Sequence, residues 1–223
     1  MCCKSFSITV GARSSPLSRA QVQEVLEGLR IHHPAIDFSP TFLETRGDYD
    51  QNTSLRTLGK TDFFTKEVDA LLLEGKCRIA VHSAKDLPDP LPEGLSLVAL
   101  TRGLDPGDVL VLPPGTTLHE LPCGAVIATS SERREWAVNQ LRSDFCFMDI
   151  RGTIGQRLAK LGSGDVAGVV VAEAALIRLG LTGLNRVRLP GPTTPFQGRL
   201  AVLARELDVV MKDLFSCIHS ENL

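Results

Sequence analysis

The sequence carries no marked excess of either charge: 24 Lys and Arg stand against 26 Asp and Glu, a formal net charge of −2. A principal partnership with nucleic acid needs a basic excess or stripe to neutralise phosphate, so the balance argues against that class. No apolar run approaches the roughly 20 residues of a membrane span. The N-terminal Met1-Cys2-Cys3-Lys4-Ser5-Phe6 has no apolar stretch of signal-peptide length. The expectation is a cytoplasmic protein with neither a membrane nor nucleic acid as partner, and nothing here sets its oligomeric state. The six cysteines, at 2, 3, 77, 123, 146 and 217, form no C-x-x-C and no zinc spacing with the five histidines. No metal is expected, and reduced, mostly buried thiols are. Internal repeats and low-complexity tracts are absent as well.

What is present suits a globular chain: 43% hydrophobic and 22% charged residues over 223 positions. That length accommodates one large domain or two α/β domains of about 100 residues each. Short apolar runs alternate with helical patterns. Strands are expected at Ser7–Gly11, Asp37–Leu43, Ile79–Val81, Leu95–Leu100, Val109–Leu112, Ala125–Ala128, Phe145–Ile150 and Val169–Ala172, with Leu200–Leu203 a further one. Helices are expected at Leu17–Leu29, Phe64–Leu73, from Thr129-Ser130-Ser131 to Leu141, after Thr153 to Leu161, Glu173–Leu179 and Asp208–His219. Ser15 is placed to cap the first, with Pro16 in its opening position. Residues 49–61 read as a polar, irregular loop. Strands alternating with helices imply mostly parallel sheets. Breaks near Thr101–Gly107 and Pro190–Pro195 then bracket an inserted segment. The expected fold is α/β, two domains of mostly parallel sheet with flanking helices, resembling periplasmic binding proteins. Domain 1 comprises 1–100 with 197–223, domain 2 comprises 101–196, and a cleft is expected between them.

Chemistry concentrates where strands end. The run Ile79-Ala80-Val81 leads into His82-Ser83-Ala84-Lys85-Asp86-Leu87-Pro88, and further prolines at 90 and 92 forbid a continuing ladder or a helix interior. Lys85 and Asp86 thus stand at the carboxyl end of a buried strand, where open α/β sheets bind ligands. On pattern alone, two solvated charges at a loop exit fit as well. Three strand-to-helix junctions repeat one composition: Arg13-Ser14-Ser15, then Thr129-Ser130-Ser131-Glu132-Arg133-Arg134, then Arg151-Gly152-Thr153 with Arg157 one turn on. Each sets backbone N–H groups, small hydroxyls and guanidinium at a helix N-terminus, an arrangement suited to anions. Arg also outnumbers Lys, and its planar fork matches carboxylate or phosphate. A small ligand bearing several carboxylates or phosphates follows. Any one junction taken singly is ordinary capping with a solvated Arg.

Two other motifs do not hold. Gly59-Lys60-Thr61 resembles the tail of a P-loop, but Ser54 stands at the required upstream glycine and no buried strand precedes it. His32-His33, before Pro34, reads as a helix end rather than a metal site.

The block Ala80-Val81-His82-Ser83-Ala84-Lys85-Asp86-Leu87-Pro88, with Pro92-Glu93-Gly94-Leu95 behind it, resembles hydroxymethylbilane synthase (porphobilinogen deaminase). The resemblance continues through Arg13-x-Ser15-Pro16-Leu17, Thr45-Arg46-Gly47-Asp48, Phe64-Thr65-Lys66-Glu67 and Thr129-Ser130-Ser131-x-Arg133-Arg134. It extends through Arg151-Gly152 with Arg157-Leu158, Leu176-x-Arg178-Leu179-Gly180 and Gln197-Gly198. These blocks follow the family's order from residue 8 to about 205.

The resemblance implies a transferase of porphyrin and heme biosynthesis, which joins four porphobilinogen units head to tail and releases ammonia at each step. It assigns catalysis to Asp86, stabilising the cationic azafulvene formed as ammonia leaves, with Lys85 beside it on ligand carboxylates. Arg13, Ser15, Ser131, Arg133 and Arg134 are implied to hold acetate and propionate groups, as are Arg151, Arg157 and Arg178. Thr129, Ser130, Gly152 and Gln197 complete the substrate-binding set. The family also carries a covalent dipyrromethane primer on a cysteine in a Gly-Gly-Cys setting of a third, C-terminal domain. The sequence reads as a shortened form without that domain or motif; its late cysteine, Cys217, in Phe215-Ser216-Cys217-Ile218, is the candidate for cofactor binding, and a partly buried helix thiol is the reading its context favours over a primer anchor. The family's Gly-Gly-Lys-Gly loop appears as Gly59-Lys60-Thr61-Asp62. Phe196 replaces a glycine, Arg199 a small residue, and Glu132 and Glu173 add negative charge near the expected carboxylate pocket. The alternative function is a two-domain binding protein for a pyrrole or another polycarboxylate.

Overall fold

The computed structural model describes residues 7–50, 53, 56 and 61–221. In chain order, β1 (Ser7–Arg13), α1 (Pro16–His32), β2 (Asp37–Leu43), α2 (Arg46–Tyr49), α3 (Lys66–Leu73), β3 (Ile79–Ser83) and β4 (Leu95–Leu100) come first. Then follow β5 (Asp108–Val111), β6 (Val126–Ala128), α4 (Glu132–Asn139), β7 (Cys146–Met148), α5 (Ile154–Gly162), β8 (Gly168–Ala172), α6 (Glu173–Arg178) and β9 (Arg186–Arg188). The chain closes with β10 (Leu200–Arg205) and α7 (Val209–Phe215). Two compact units result: Met1–Asp50, Lys60–Leu104 and Arg199–Leu223 form the first, and Gln51–Gly59 with Asp105–Gly198 the second.

Each unit is built on one five-stranded sheet, ordered β2-β1-β3-β10-β4 in the first and β7-β6-β8-β5-β9 in the second. β1, β2 and β3 pair in parallel, as do β6, β7 and β8. β10 runs antiparallel to both β3 and β4, and β5 to both β8 and β9. The sheets are therefore mostly parallel in direction, each with one reversed strand. That strand is the first one the chain forms on entering the second unit (β5) or returning to the first (β10). A strand arriving from outside needs no crossover helix and can pair antiparallel.

Helices cover both faces, which is why the central strands read as unbroken apolar runs. In the first unit Ile8, Val10, Ile79, Val81 and Val202 pack on α1 residues Val22, Val25 and Leu29 and on Phe215 of α7. The opposite face sets Ala80, Leu95 and Leu203 against Val68 and Leu72 of α3. In the second unit Leu110, Ile127 and Val170 meet Ala137 and Val138 of α4, while Val109, Val111, Val169 and Val171 meet Leu176 of α6.

Several boundaries move from the sequence expectation. α1 continues to His32, because Arg30 and His32 suit the negative end of the helix dipole although they bury nothing. Ser15 does cap it: the Ser15 hydroxyl accepts from the Ser18 amide at 3.2 Å. α4 starts at Glu132, leaving Thr129 and Ser130 outside the helix. β9 was not expected, since Arg-Val-Arg has no apolar pattern; it is an edge strand whose arginines serve ion pairs. The thiols also differ: among the described cysteines Cys77 is buried, whereas Cys123, Cys146 and Cys217 are exposed. Gly59, Lys60 and Ser54 of the P-loop-like stretch, and Cys2 and Cys3, lie outside the described residues. Among the described residues no helix is long and apolar enough to cross a membrane, and no cluster of three or more His, Cys, Asp or Glu side chains is arranged to hold a metal ion.

Candidate active site

The strand β3 ends because its partner does. Ser83 is the last residue opposite β10, and the Ala84 amide donates to the Arg199 carbonyl at 3.1 Å. Ala84–Asp86 then form one 3₁₀ turn, closed by the Leu87 amide on the Ala84 carbonyl, before the prolines extend the chain. This turn leaves Lys85 and Asp86 half-buried on a hollow of about 80 Å³ that Arg13, Ser15, Phe64, Thr65, His82 and Ser83 also line.

Arg13 is locked before any ligand arrives. Its guanidinium pairs with the Asp48 carboxylate and lies 4.8 Å over the Phe64 ring centroid. Asp48 also accepts from the Thr45 amide at 2.9 Å and the Thr45 hydroxyl at 3.0 Å. Burial pushes the Asp48 carboxyl up, but Arg13 and Thr45 outweigh it and hold it below its ordinary value. Gly47 in the same turn leaves room for the Phe64 ring: a Cβ there would collide with Phe64 Cδ1 and Cε1. The block Thr45-Arg46-Gly47-Asp48 is thus the support of Arg13.

In the second unit the expected anion residues gather around a carboxylate that the sequence had shown only as turn chemistry. Asp108, 2% exposed at the head of β5, accepts from Arg133 Nη2 at 2.6 Å, from Arg134 Nε at 3.0 Å and Nη2 at 2.6 Å, and from Gln197 Nε2 at 3.0 Å. Burial alone would raise the Asp108 pKa; the Arg134 and Arg133 guanidiniums overcome that and lower it. Arg133 also donates to the Pro192 carbonyl, and Gln197 to the Pro106 carbonyl.

The other nominated residues are divided between support and display. The Ser130 hydroxyl accepts from the Ile150 amide at 2.8 Å and donates to the Ile150 carbonyl at 2.9 Å, pinning β6 to the strand exit at Ile150. Thr129 is buried, its hydroxyl accepting from the Ser131 amide at 3.3 Å. Ser131 stands at the N-cap of α4 with no capping bond from its side chain. Arg151 is half-buried at the approach to α5, Gly152 adopts φ 98°, and Arg157 Nε donates to the Gly152 carbonyl at 2.8 Å. Arg178 ends α6 and donates to the Gly198 carbonyl at 2.8 Å. Arg56, which the sequence did not nominate, pairs with Asp149 and Glu135 and donates to the Thr129 carbonyl at 3.2 Å.

Two expectations need correction, and the departure at Arg199 finds its structural place. Glu173 brings no free negative charge, because Arg186 grips it through Nε at 2.9 Å and Nη2 at 2.7 Å. Cys217 lies in a short 3₁₀ turn, Ser216–Ile218, and is exposed rather than partly buried in a helix. Arg199, unexpected at its position, is buried and donates to the Thr101 and Ser220 carbonyls, tying β10 to the chain's far end.

Comparison with known proteins settles the family. The family model described as "Porphobilinogen deaminase, dipyromethane cofactor binding domain" matches residues 8–213. The chain belongs to the porphobilinogen deaminase family. It is 36% identical over 221 residues to the porphobilinogen deaminase of Clostridioides difficile (strain 630), covering 97% of this chain and 73% of that protein. It is 38% identical over 223 residues to the probable porphobilinogen deaminase of Chlamydia muridarum (strain MoPn / Nigg), covering 100% and 91%. The family is one of transferases in tetrapyrrole biosynthesis. Among solved structures, the methionine binding protein MetQ matches with a TM-score of 0.58 at 11% identity, over 96% of this chain and 91% of that one. A periplasmic substrate-binding protein of an ABC transporter from Coxiella burnetii matches with 0.57 at 16%, over 96% and 92%. Those likenesses establish a fold of the periplasmic-binding-protein kind.

Proposed function

We propose that this chain joins porphobilinogen units head to tail with loss of ammonia, building a linear tetrapyrrole. The observation that carries the proposal is the shared hollow on which Lys85 and Asp86 stand with Arg13 and Ser15. The aminomethyl carbon–nitrogen bond of the substrate breaks, ammonia leaves, and a cationic azafulvene remains. The Asp86 carboxylate accepts the pyrrole N–H and offsets the positive charge as it develops, an effect strongest in a half-buried, preorganised site. Lys85 and Arg13 meet the substrate's carboxylates. The methylene then bonds the free α-carbon of the growing chain's terminal pyrrole, whose C–H proton is released. In the second unit Arg133, Arg134 and Ser131 hold carboxylates of the growing chain. Arg134 Nη1 and Arg133 Nε donate no hydrogen bond to any described residue, so each retains an N–H for a ligand. Arg151, Arg157 and Arg178 complete the set.

A dipyrromethane primer fits the donor chemistry, since its acetate and propionate groups need the same guanidinium and hydroxyl donors. When bound, it supplies the free α-position on which the chain is started. Covalent attachment at Cys217 fits poorly: its Sγ donates to the Leu214 carbonyl at 3.3 Å, a bond that favours the thiol over the nucleophilic thiolate. Intact mass of the purified protein reads attachment directly, and Cys217→Ala is expected to leave that mass signature unchanged. For the reaction, the purified chain is expected to consume porphobilinogen and release ammonia. Asp86→Asn should lower the rate by about 10²–10³-fold with the melting temperature unchanged. A rate within threefold of the parent would remove Asp86 from catalysis.

A further inference from the structure

Behind the hollow lies a buried polar pair that the proposed reaction leaves unused. Along β3 the side chains alternate: Ile79 and Val81 face the α1 side, Ala80 the α3 side, and His82 follows Ala80 by two. His82 therefore turns toward α3, where Asp69 meets it with Oδ1 3.1 Å from His82 Nε2. The two side chains are 3% and 4% exposed. The contact is close yet not aligned as a hydrogen bond, so both Asp69 oxygens and His82 Nε2 are sealed from solvent without an aligned partner, as is the Thr65 hydroxyl oxygen. A buried carboxylate only accepts, and such groups are costly to leave unmet. His82 Nε2 stands 3.1 Å from Asp69 Oδ1, and the contact is favourable only in the form that carries a hydrogen on Nε2. That requirement selects one imidazole tautomer and one ring orientation. His82 and Thr65 both line the same hollow as Lys85 and Asp86.

We infer that Asp69 is a positioning residue which sets the His82 ring as the inner wall of the hollow, and that this ring touches the reacting pyrrole beside Asp86. The inference rests on the proposed reaction but concerns different residues. Catalytic hydrogen bonds without a ligand are commonly long or misaligned and tighten in the complex, which suits a contact at 3.1 Å that lacks alignment.

The test uses the purified full chain with porphobilinogen. In Asp69→Asn the shape survives, and kcat is expected to fall about tenfold with KM within twofold. His82→Gln retains an N–H for Asp69, and should show the same loss in kcat. Imidazole ¹⁵N NMR adds a readout that needs no turnover: the protonated Nε2 signal of His82 should be present in the parent, shift on adding porphobilinogen, and be altered in Asp69→Asn. A kcat within twofold of the parent in Asp69→Asn overturns the inference. So does a loss in Asp69→Asn that His82→Gln does not share, or a His82 ring indifferent to porphobilinogen. Full activity in Asp86→Asn would instead defeat the parent proposal, and the NMR arm would still report on His82.

Discussion

Replacing Asp108 with Asn probes the anion-binding side of the second unit most sharply. The carboxylate is 2% exposed and receives four N–H donors, three of them from guanidinium. Breaking a buried ion pair by removing one partner costs about 3–5 kcal/mol. Two features reduce that here. The Arg133 and Arg134 side chains remain 27% and 13% exposed and regain some hydration, and the Asn carbonyl keeps one acceptor. The expected loss is about 2–3 kcal/mol, or roughly 5–10 °C in melting temperature for a chain of this size. A two-unit protein need not unfold in one step, so the probe must belong to the right unit. Trp136, the single tryptophan, lies on α4 close behind Arg133 and Arg134, and its fluorescence reports that unit.

The pH dependence gives an independent sign. Asp108 has a lowered pKa in the folded chain. Its stabilisation is therefore complete above the unfolded value of about 4, and is lost as pH falls from there through the folded value. The gap between parent and variant should be constant from pH 7 to about 5 and narrow below about 4. Asp48, Asp105 and Asp208, also lowered by arginine partners, titrate in both proteins and cancel from the difference. A variant within about 0.5 kcal/mol of the parent at pH 7, or a gap unchanged down to pH 3, would refute the account.

Two further substitutions address the first unit's hollow and the backbone. Gly47→Ala should drive the Phe64 ring toward the hollow it lines, costing about 1–3 kcal/mol and raising the KM for porphobilinogen about tenfold; an unchanged KM would show that Phe64 yields elsewhere. Phe196 holds φ 61° with a ring 39% exposed, a left-handed conformation that favours glycine. Phe196→Gly is expected to stabilise by about 0.5–1 kcal/mol in urea titration after the added freedom of the unfolded chain is counted, and any destabilisation would mean that the ring's packing outweighs the strain.

Much of the fold was legible because its signals are local. Buried strands announce themselves as short β-branched runs, and Ser15-Pro16 announces a helix start through the capping bond it can make. Where an element draws its stability from contacts elsewhere, the signal fails. β9 exists because its valine edge pairs with β5 and its arginines find Glu173 and Asp105, and nothing in Arg186-Val187-Arg188 says so. The arginine-rich junctions were visible as composition, but not what each guanidinium would meet. Asp105-Pro106-Gly107-Asp108 shows turn chemistry, and a charged residue opening an apolar run was the one clue that Asp108 is held inside.

The amino-acid order alone determined the alternation of strands and helices, the family motifs, and the placing of Lys85-Asp86 at a strand's carboxyl end. Those follow from periodicity, turn residues and neighbours in the chain. Only the tertiary structure decided that Arg13 is braced by Asp48 and Phe64, that Asp108 gathers Arg133, Arg134 and Gln197, and that His82 faces Asp69. Each of these pairs a charge or a ring with a partner distant in sequence, and their energies depend on burial, which no local pattern records.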